Sequence, residues 1–204
     1  MNTDLQEIYN RFAATYEINR NLFDVSNIFD EFYRVLNLPT GKLLDLGCGA
    51  GEPFARWFVE RSWDVTGVDF SSQMLELAQN YVPQMNAICA DICEVEFGKS
   101  TFDAITAIYS LFHVPRKRHL DLFCKWQQWL RPGGKVLFTY ATREYTGQEE
   151  FDGVKEFLGE QLFYSHDSET ALMEKLHQSG LAVQTAIKRE IGGERFLWVT
   201  ATNE

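Results

Sequence analysis

Between residues 42 and 140 short apolar runs alternate with segments of helical spacing. That alternation restricts the chain to a sheet whose strands are joined by helical crossovers. "KLLDLG" (42–47) reads as an apolar strand, "EPFARWFVERS" (52–62) as a helix, "WDVTGVDF" (63–70) as a strand and "SSQMLELAQNYV" (71–82) as a helix opened by serine caps. The pattern continues with "NAICADI" and "FDAITAIYS" as strands, "PRKRHLDLFCKWQQWL" as a helix started by Pro115, and "GKVLFTYA" as the fifth strand. Parallel strands with helices on both sheet faces follow from it.

The ends do not continue the alternation. Residues 4–36 carry Leu5, Ile8, Phe12, Ile28, Phe32, Val35 and Leu36 at helical spacings ahead of the first strand, where they can cap the sheet but not form a crossover. Residues 142–167 read as a long irregular segment of mixed charge and aromatics, and loops of that length inside a compact domain are usually functional. The chain closes with a helix, "SETALMEKLHQSG" (168–180), and two strands joined around Gly192 and Gly193 as a hairpin. With 204 residues the chain is expected to form one domain.

The chemistry concentrates at "LLDLGCGAGEP" (43–53). Gly47, Gly49 and Gly51 lie between a strand and a helix, where a bare backbone turns tightly and touches a ligand directly. A dinucleotide fingerprint needs a glycine three residues after Gly49, and that position holds Glu52, whose carboxylate competes with a pyrophosphate for the helix terminus. Asp45, inside the first strand, calls for donors or a cationic partner. Asp69 ends the second strand, where a carboxylate can accept both hydroxyls of a ribose, or cap the serine-rich turn. Asp91 follows the third strand and can accept from an exocyclic amine, or cap a short helix.

In this order and spacing the segments resemble the class I S-adenosylmethionine-dependent methyltransferases. "LLDLGCGAGEP" is similar to that family's first motif, "VTGVDFS" to its acidic-ended second strand, "ICADI" to its adenine-side motif, "FDAITAIYSLFHVP" to its fourth strand and loop, and "LRPGGKVLFT" to its fifth-strand motif. The resemblance implies an α/β, doubly wound, Rossmann-like fold: a seven-stranded, mostly parallel sheet with an antiparallel last strand. It divides residues 1–204 into a helical cap (1–40), a cofactor-binding core (41–141), an acceptor-side loop (142–167) and the closing helix and hairpin (168–204). The implied cofactor is S-adenosylmethionine, with S-adenosylhomocysteine as product.

Carried over residue by residue, the resemblance implies that Asp45 and the backbone of Gly47, Cys48 and Gly49 hold the methionine moiety. Asp69 takes the ribose, Phe70 and Met74 flank the adenine, Asp91 and Ile92 meet its edge, and Tyr109 stands by the sulfonium. "YNRFAATY" is similar to the paired-tyrosine entry helix of small members, so Tyr9 and Tyr16 are candidates to close over the cofactor. Three residues are candidates for catalysis, each with a structural alternative. His113 follows the fourth strand and is a candidate base or a packing residue; Tyr164 and His166, in "LFYSHDSET", are candidates to bind or deprotonate the acceptor, or an anchor and a cap. Tyr140 and Phe112 are candidates to line the same side.

The net charge of −10, from 29 acidic against 19 basic residues, repels phosphate backbones. The one basic cluster, "PRKRH" (115–119), reads as a solvated helical turn or an anion site. The fourth strand lacks the acidic or Asn-Pro-Pro-Tyr ending associated with methylation of bases. A small-molecule acceptor is therefore expected, with no nucleic acid. Cys48, Cys89, Cys93 and Cys124 have neither CxxC pairing nor zinc-ligand spacing, so no metal is expected. Without an apolar leader or an 18-residue apolar run, the expectation is a cytoplasmic protein off the membrane, monomeric or homodimeric. The competing reading is a non-catalytic, S-adenosylmethionine- or S-adenosylhomocysteine-binding regulatory or scaffold protein.

Overall fold

The structure, a computed structural model, describes residues 3–15 and 25–204. Its main sheet has seven strands in the order β3-β2-β1-β4-β5-β9-β8, and β6 and β7 form a separate pair. The strands are β1 (Lys42–Leu46), β2 (Asp64–Asp69), β3 (Asn86–Cys89), β4 (Phe102–Ala107), β5 (Leu130–Tyr140), β6 (Phe151–Phe157), β7 (Glu160–His166), β8 (Leu181–Ile191) and β9 (Glu194–Asn203). The pairs β1·β2, β2·β3 and β4·β5 are parallel, while β9 runs antiparallel to both β5 and β8. The expected seven-stranded fold is thus observed. Backbone packing divides the chain into two compact units, Met1–Glu96 and Phe97–Glu204.

In the first unit, α1 (Thr3–Ala14) and α2 (Ser26–Leu36) precede the strands, α3 (Phe54–Val59) links β1 to β2, and α4 (Ser72–Tyr81) links β2 to β3. The helix α2 buries Ile28, Phe29, Phe32 and Leu36, the i, i+4, i+8 row with its neighbour that the spacing predicts. Phe29 meets Phe54 at 3.9 Å between ring centroids and Phe32 meets Phe58 at 6.4 Å, so α2 packs on α3 through aromatic edges. Ser71 caps α4 as expected, its hydroxyl accepting the Met74 N–H at 3.2 Å. Pro53 stands one residue before α3 rather than inside it.

In the second unit, α5 (His119–Trp129) links β4 to β5, a four-residue helix α6 (Arg143–Thr146) precedes β6, and α7 (Glu169–Ser179) precedes β8. The helix expected from Pro115 starts instead at His119. Pro115 has ψ 129°, outside the helical range, and Arg116–Arg118 form a 3-10 turn. His119 is fully buried, and its Nε2–H donates to the Val114 carbonyl at 2.9 Å, closing that turn. The α7 boundaries agree with the sequence reading: Ser168 caps its start through the Ala171 N–H, and Gly180 ends it at φ 84°.

The segment expected as an irregular loop, 142–167, is the main correction. It holds α6 and a two-stranded hairpin in which Phe157 pairs with Glu160, so the turn is only Leu158–Gly159. Both turn residues have positive φ, 50° and 80°, the conformation of a tight hairpin turn. Asparagine or glycine normally fills the first position, and a leucine there hides the hairpin from a sequence reading. The β8–β9 hairpin carries Gly192 and Gly193 at φ 61° and 80°, and was legible for that reason.

Leu158 is also 48% exposed, so its side chain contributes little packing. Leu158→Asn is expected to stabilise the fold by about 0.5–1 kcal/mol through relief of the left-handed strain. Urea unfolding of the two proteins measures it, and a destabilised variant would show that the turn is not strained.

Candidate functional site

The glycine turn of the first unit follows β1, and Gly47, Gly49 and Gly51 all have positive φ, at 79°, 51° and 77°. The main-chain donors of Gly47, Cys48, Gly49 and Gly51 are already engaged. Gly47 and Cys48 N–H donate to the Val68 carbonyl at 2.7 and 3.1 Å, and Gly49 N–H to Asp69 Oδ2 at 2.9 Å. What these residues can still offer is carbonyl acceptors, each with two lone pairs, a polarity that suits a cation. The Cys48 side chain turns inward, its sulfur 2.7 Å from where a Cβ on Gly67 would stand. Burial, then Asp69 and Asp45, push its thiol well above the ordinary range, so only its backbone can serve a ligand. Asp45 is buried within β1, opposite Gly67 in register.

Asp69 ends β2 with its carboxylate buried, accepting the Gly49 N–H and, at 2.8 Å, the Ser71 N–H. Burial raises its pKa to about 6, outweighing the lowering by the N–H groups of Ser71, Gly49 and Phe70. The helix α1 docks on the loop that follows. Gln6 Nε2 donates to the Phe70 carbonyl at 2.6 Å, the Ser71 hydroxyl donates to Asn10 Oδ1 at 2.6 Å, and Tyr9 lies edge-on to Phe70 at 5.5 Å. Gln6 and Asn10 were missed in the sequence, although with Tyr9 they share one helical face. Tyr16 lies outside the described residues.

The adenine-side candidates sit in the same unit. Met74 and Ile92 are buried and Phe70 half-buried. Asp91 takes the capping role: Oδ1 accepts the Cys93 N–H at 2.9 Å, and its carbonyl accepts from Glu94 and Val95. Its Oδ2 has no partner among the described residues.

The second unit holds Tyr109 and the acceptor-side candidates. Tyr109, just beyond β4, has φ 56° and donates its N–H to Thr139 Oγ1 at 2.6 Å. Its ring stands edge-on to Phe196 and Trp198 at 5.6 and 5.7 Å. Phe112 is stacked between Tyr164 and Phe196, both at 5.0 Å. The Tyr145 hydroxyl donates to Glu194 Oε1 at 3.0 Å and shares a hydrogen bond with Tyr164. Tyr145, Glu194, Phe196 and Trp198 carried no motif and were not found in the sequence. Burial pushes the Tyr164 phenol up to about 12, the phenols of Tyr109 and Tyr145 above their ordinary range, and the Glu194 carboxyl upward. These phenols stay protonated at neutral pH and act as hydrogen-bond donors, not bases.

His113 shares a 2.6 Å hydrogen bond between Nδ1 and the Phe163 carbonyl. A carbonyl only accepts, so the proton sits on Nδ1 and Nε2 carries the lone pair. Burial lowers its pKa to about 4, and the ring is neutral at physiological pH. His166 is placed otherwise: it is fully buried, with Nδ1 donating to the Asp167 carbonyl at 3.0 Å and Nε2 accepting from Thr146 Oγ1 at 2.8 Å. With both nitrogens engaged it anchors α6 to β7, and its expected acid–base role is withdrawn. Tyr140 is likewise a core residue, its hydroxyl accepting the Asp167 N–H at 2.8 Å. Among the described residues no cluster of His, Cys, Asp and Glu could hold a metal ion, and no helix is long and apolar enough to cross a membrane.

Residues 43–134 match the family described as "Methyltransferase domain". The chain is 34% identical over 127 residues to phosphoethanolamine N-methyltransferase 3 of Arabidopsis thaliana, covering 59% of this chain and 26% of that protein. It is 32% identical over 107 residues to a ubiquinone biosynthesis O-methyltransferase of Coxiella burnetii, covering 50% and 44%. The chain thus spans less than half the length of these curated relatives. Its structure is similar to that of Burkholderia thailandensis 1,6-didemethyltoxoflavin-N1-methyltransferase with bound 1,6-didemethyltoxoflavin and S-adenosylhomocysteine, at a TM-score of 0.64 and 19% identity, over 96% of this chain and 86% of that one.

The anchoring role of His166 has a measurable consequence. His166→Ala removes two buried hydrogen bonds and leaves Thr146 and a cavity behind, and is expected to cost about 2–4 kcal/mol in urea unfolding. A loss under about 0.5 kcal/mol would contradict the anchoring assignment.

Proposed function

We propose, from the match of residues 43–134 to the methyltransferase domain family and from the ordered motifs around it, that the protein is a class I S-adenosylmethionine-dependent methyltransferase that transfers a methyl group to a small-molecule acceptor. The observation that carries this reading is the Asp69 carboxylate, buried at the end of β2 beside a turn of three left-handed glycines. Buried charge of this kind gains from further donors, and two ribose hydroxyls are suitable ones. Asp45 and the Gly47 carbonyl would take the cationic ammonium, Asp91 Oδ2 an exocyclic amine, and Phe70, Met74 and Ile92 the faces of the adenine.

Bound S-adenosylmethionine supplies a methyl already activated on a sulfonium sulfur. The protein's remaining task is to hold the acceptor lone pair in line, which positioning alone can favour by up to roughly 7–11 kcal/mol. His113, its proton held on Nδ1 by the Phe163 carbonyl and its ring neutral, is the candidate to orient an O–H or N–H of the substrate. Its pKa of about 4 makes it a weak base, so it orients the nucleophile more than it deprotonates it. The Tyr164 and Tyr145 hydroxyls, whose hydrogens are engaged with one another and with Glu194, present oxygen acceptors and one carboxylate. The names of the similar proteins, one an N- and one an O-methyltransferase, support a small acceptor methylated at nitrogen or oxygen. A cytoplasmic, monomeric or homodimeric enzyme is part of the same proposal.

Calorimetric titration with S-adenosylhomocysteine tests the cofactor half. Ribose binding needs the ionised Asp69, whose pKa is about 6. Affinity is therefore expected to be level at higher pH and to fall by up to about tenfold per unit below about pH 6. Asp69→Asn should bind about ten- to a hundredfold more weakly at pH 7.5 and lose this pH dependence. No binding by the parent protein at pH 7.5 would sink the proposal, and a parent affinity level through pH 5 would remove the ribose assignment.

The acceptor half is read by methyl transfer from labelled cofactor to a panel of small amines and phenols. His113→Ala should lower turnover about tenfold with cofactor affinity unchanged. The parent pH–rate profile should show no limb near 6.5 from this histidine, because its proton leaves near pH 4. Equal turnover in the variant would assign His113 to packing alone.

A further inference from the structure

The basic run at residues 115–119 has no part in the cofactor or acceptor groups described above, yet it borders a pocket of about 580 Å³ that lies wholly within the second unit. That volume falls in the range of small-ligand sites. Pro115 and Phe163 give it an apolar wall, Arg116, Lys117 and Lys175 three cations, and Asp152 and Asp167 two carboxylates.

The carboxylates are engaged at every oxygen. Asp152 Oδ2 accepts Arg116 Nε at 2.6 Å and its Oδ1 accepts the Ser165 hydroxyl at 2.6 Å. Asp167 Oδ1 accepts Arg116 Nη1 at 3.3 Å and its Oδ2 accepts Lys175 Nζ at 2.5 Å. Arg116 Nη1 also donates to Glu150 at 2.5 Å, and Lys175 Nζ to the Arg116 carbonyl at 2.9 Å. The cations are not exhausted. Arg116 keeps both Nη2 hydrogens, Lys175 keeps one of three, and the exposed Lys117 keeps all three among the described residues. Six N–H groups on the three lining cations are thus without a partner among the described residues, while Glu150, Asp152 and Asp167 balance the three positive charges.

We propose that this pocket binds a small phosphorylated molecule, with its phosphate on Lys117, Arg116 Nη2 and Lys175 and its organic part against Pro115 and Phe163. A phosphate monoester brings three acceptor oxygens and a charge of about −1.5 to −2 at neutral pH, which matches three donor groups better than the two oxygens of a carboxylate. The acids that hold Arg116 and Lys175 fix the donors before the ligand arrives, so less ordering is needed on binding. The inference is independent of methyl transfer.

Phenyl phosphate is the probe, titrated into the whole protein by calorimetry at low ionic strength, with benzoate and inorganic phosphate as parallel arms. Saturable binding of phenyl phosphate is expected at about millimolar concentrations. It should be tighter than for either benzoate or inorganic phosphate. The Lys117 side chain has no bonding partner among the described residues, so Lys117→Ala should keep the parent unfolding midpoint while binding about fivefold more weakly, and Lys117→Glu should bind weaker still. The same binding should persist in Asp69→Asn, which alters only the first unit. Absence of saturable binding, equal affinity in Lys117→Glu, or benzoate binding as tightly as phenyl phosphate would overturn the proposal.

Discussion

The buried carboxylate of Asp69 organises the first unit's site. One oxygen holds the glycine turn after β1 through the Gly49 N–H, and the other holds the loop after β2 through the Ser71 N–H. Ser71 in turn caps α4 and donates to Asn10, so α1 is bound to the same point. One side chain thereby fixes two loops and, through Ser71, two helices. The arrangement leaves a carboxylate whose ionisation is opposed by burial, as its pKa of about 6 records. Such a group costs stability above that pKa and recovers it as the pH falls, the reverse of a salt-bridged aspartate. A ligand that brings donors relieves the same penalty, which is why an unfavourable feature of the fold is a favourable feature of a binding site.

In the second unit the protonation states are set by what each polar atom faces. Carbonyl partners fix the proton on Nδ1 of both His113 and His166, from Phe163 and Asp167 respectively. The second nitrogen of His166 also accepts from Thr146 Oγ1. Raised phenols and a lowered imidazole leave few groups that exchange protons near neutrality. Chemistry that needs proton transfer at pH 7 would be poorly served here. Displacement by a neutral amine makes no such demand before the methyl is transferred, since the extra proton leaves the product ammonium for water, and rigid aromatic walls that orient a nucleophile are adequate to it.

The sequence made legible what rests on periodicity and on glycine. Alternating apolar runs gave the seven strands of the main sheet, and Gly192–Gly193 gave the closing turn because two successive left-handed residues favour that pair. Leu158–Gly159 builds the same kind of turn with a residue that disfavours it, and the β6–β7 hairpin was read as a loop. Asp69 was visible from its place at a strand end. Gln6, Asn10, Tyr145 and Glu194 were not, because each acts through one tertiary contact that no local spacing encodes. Tyr140 and His166 were misjudged for a related reason: residue type advertises reactivity, whereas burial with every polar atom engaged removes it.

Net charge proved a weaker guide than the balance of engaged and unengaged polar atoms. A chain of charge −10 repels anions at long range, yet salt screens that repulsion over about 8–10 Å. Within that distance the ligand meets particular hydrogen-bonding groups. Around the glycine turn the N–H donors of the three glycines and Cys48 are engaged and carbonyl acceptors remain, a setting for a cation. Around Arg116 the carboxylates are engaged and donors remain, a setting for an anion. Two sites of opposite preference can thus stand on one acidic protein, each defined by the capacity its own internal hydrogen bonds leave over.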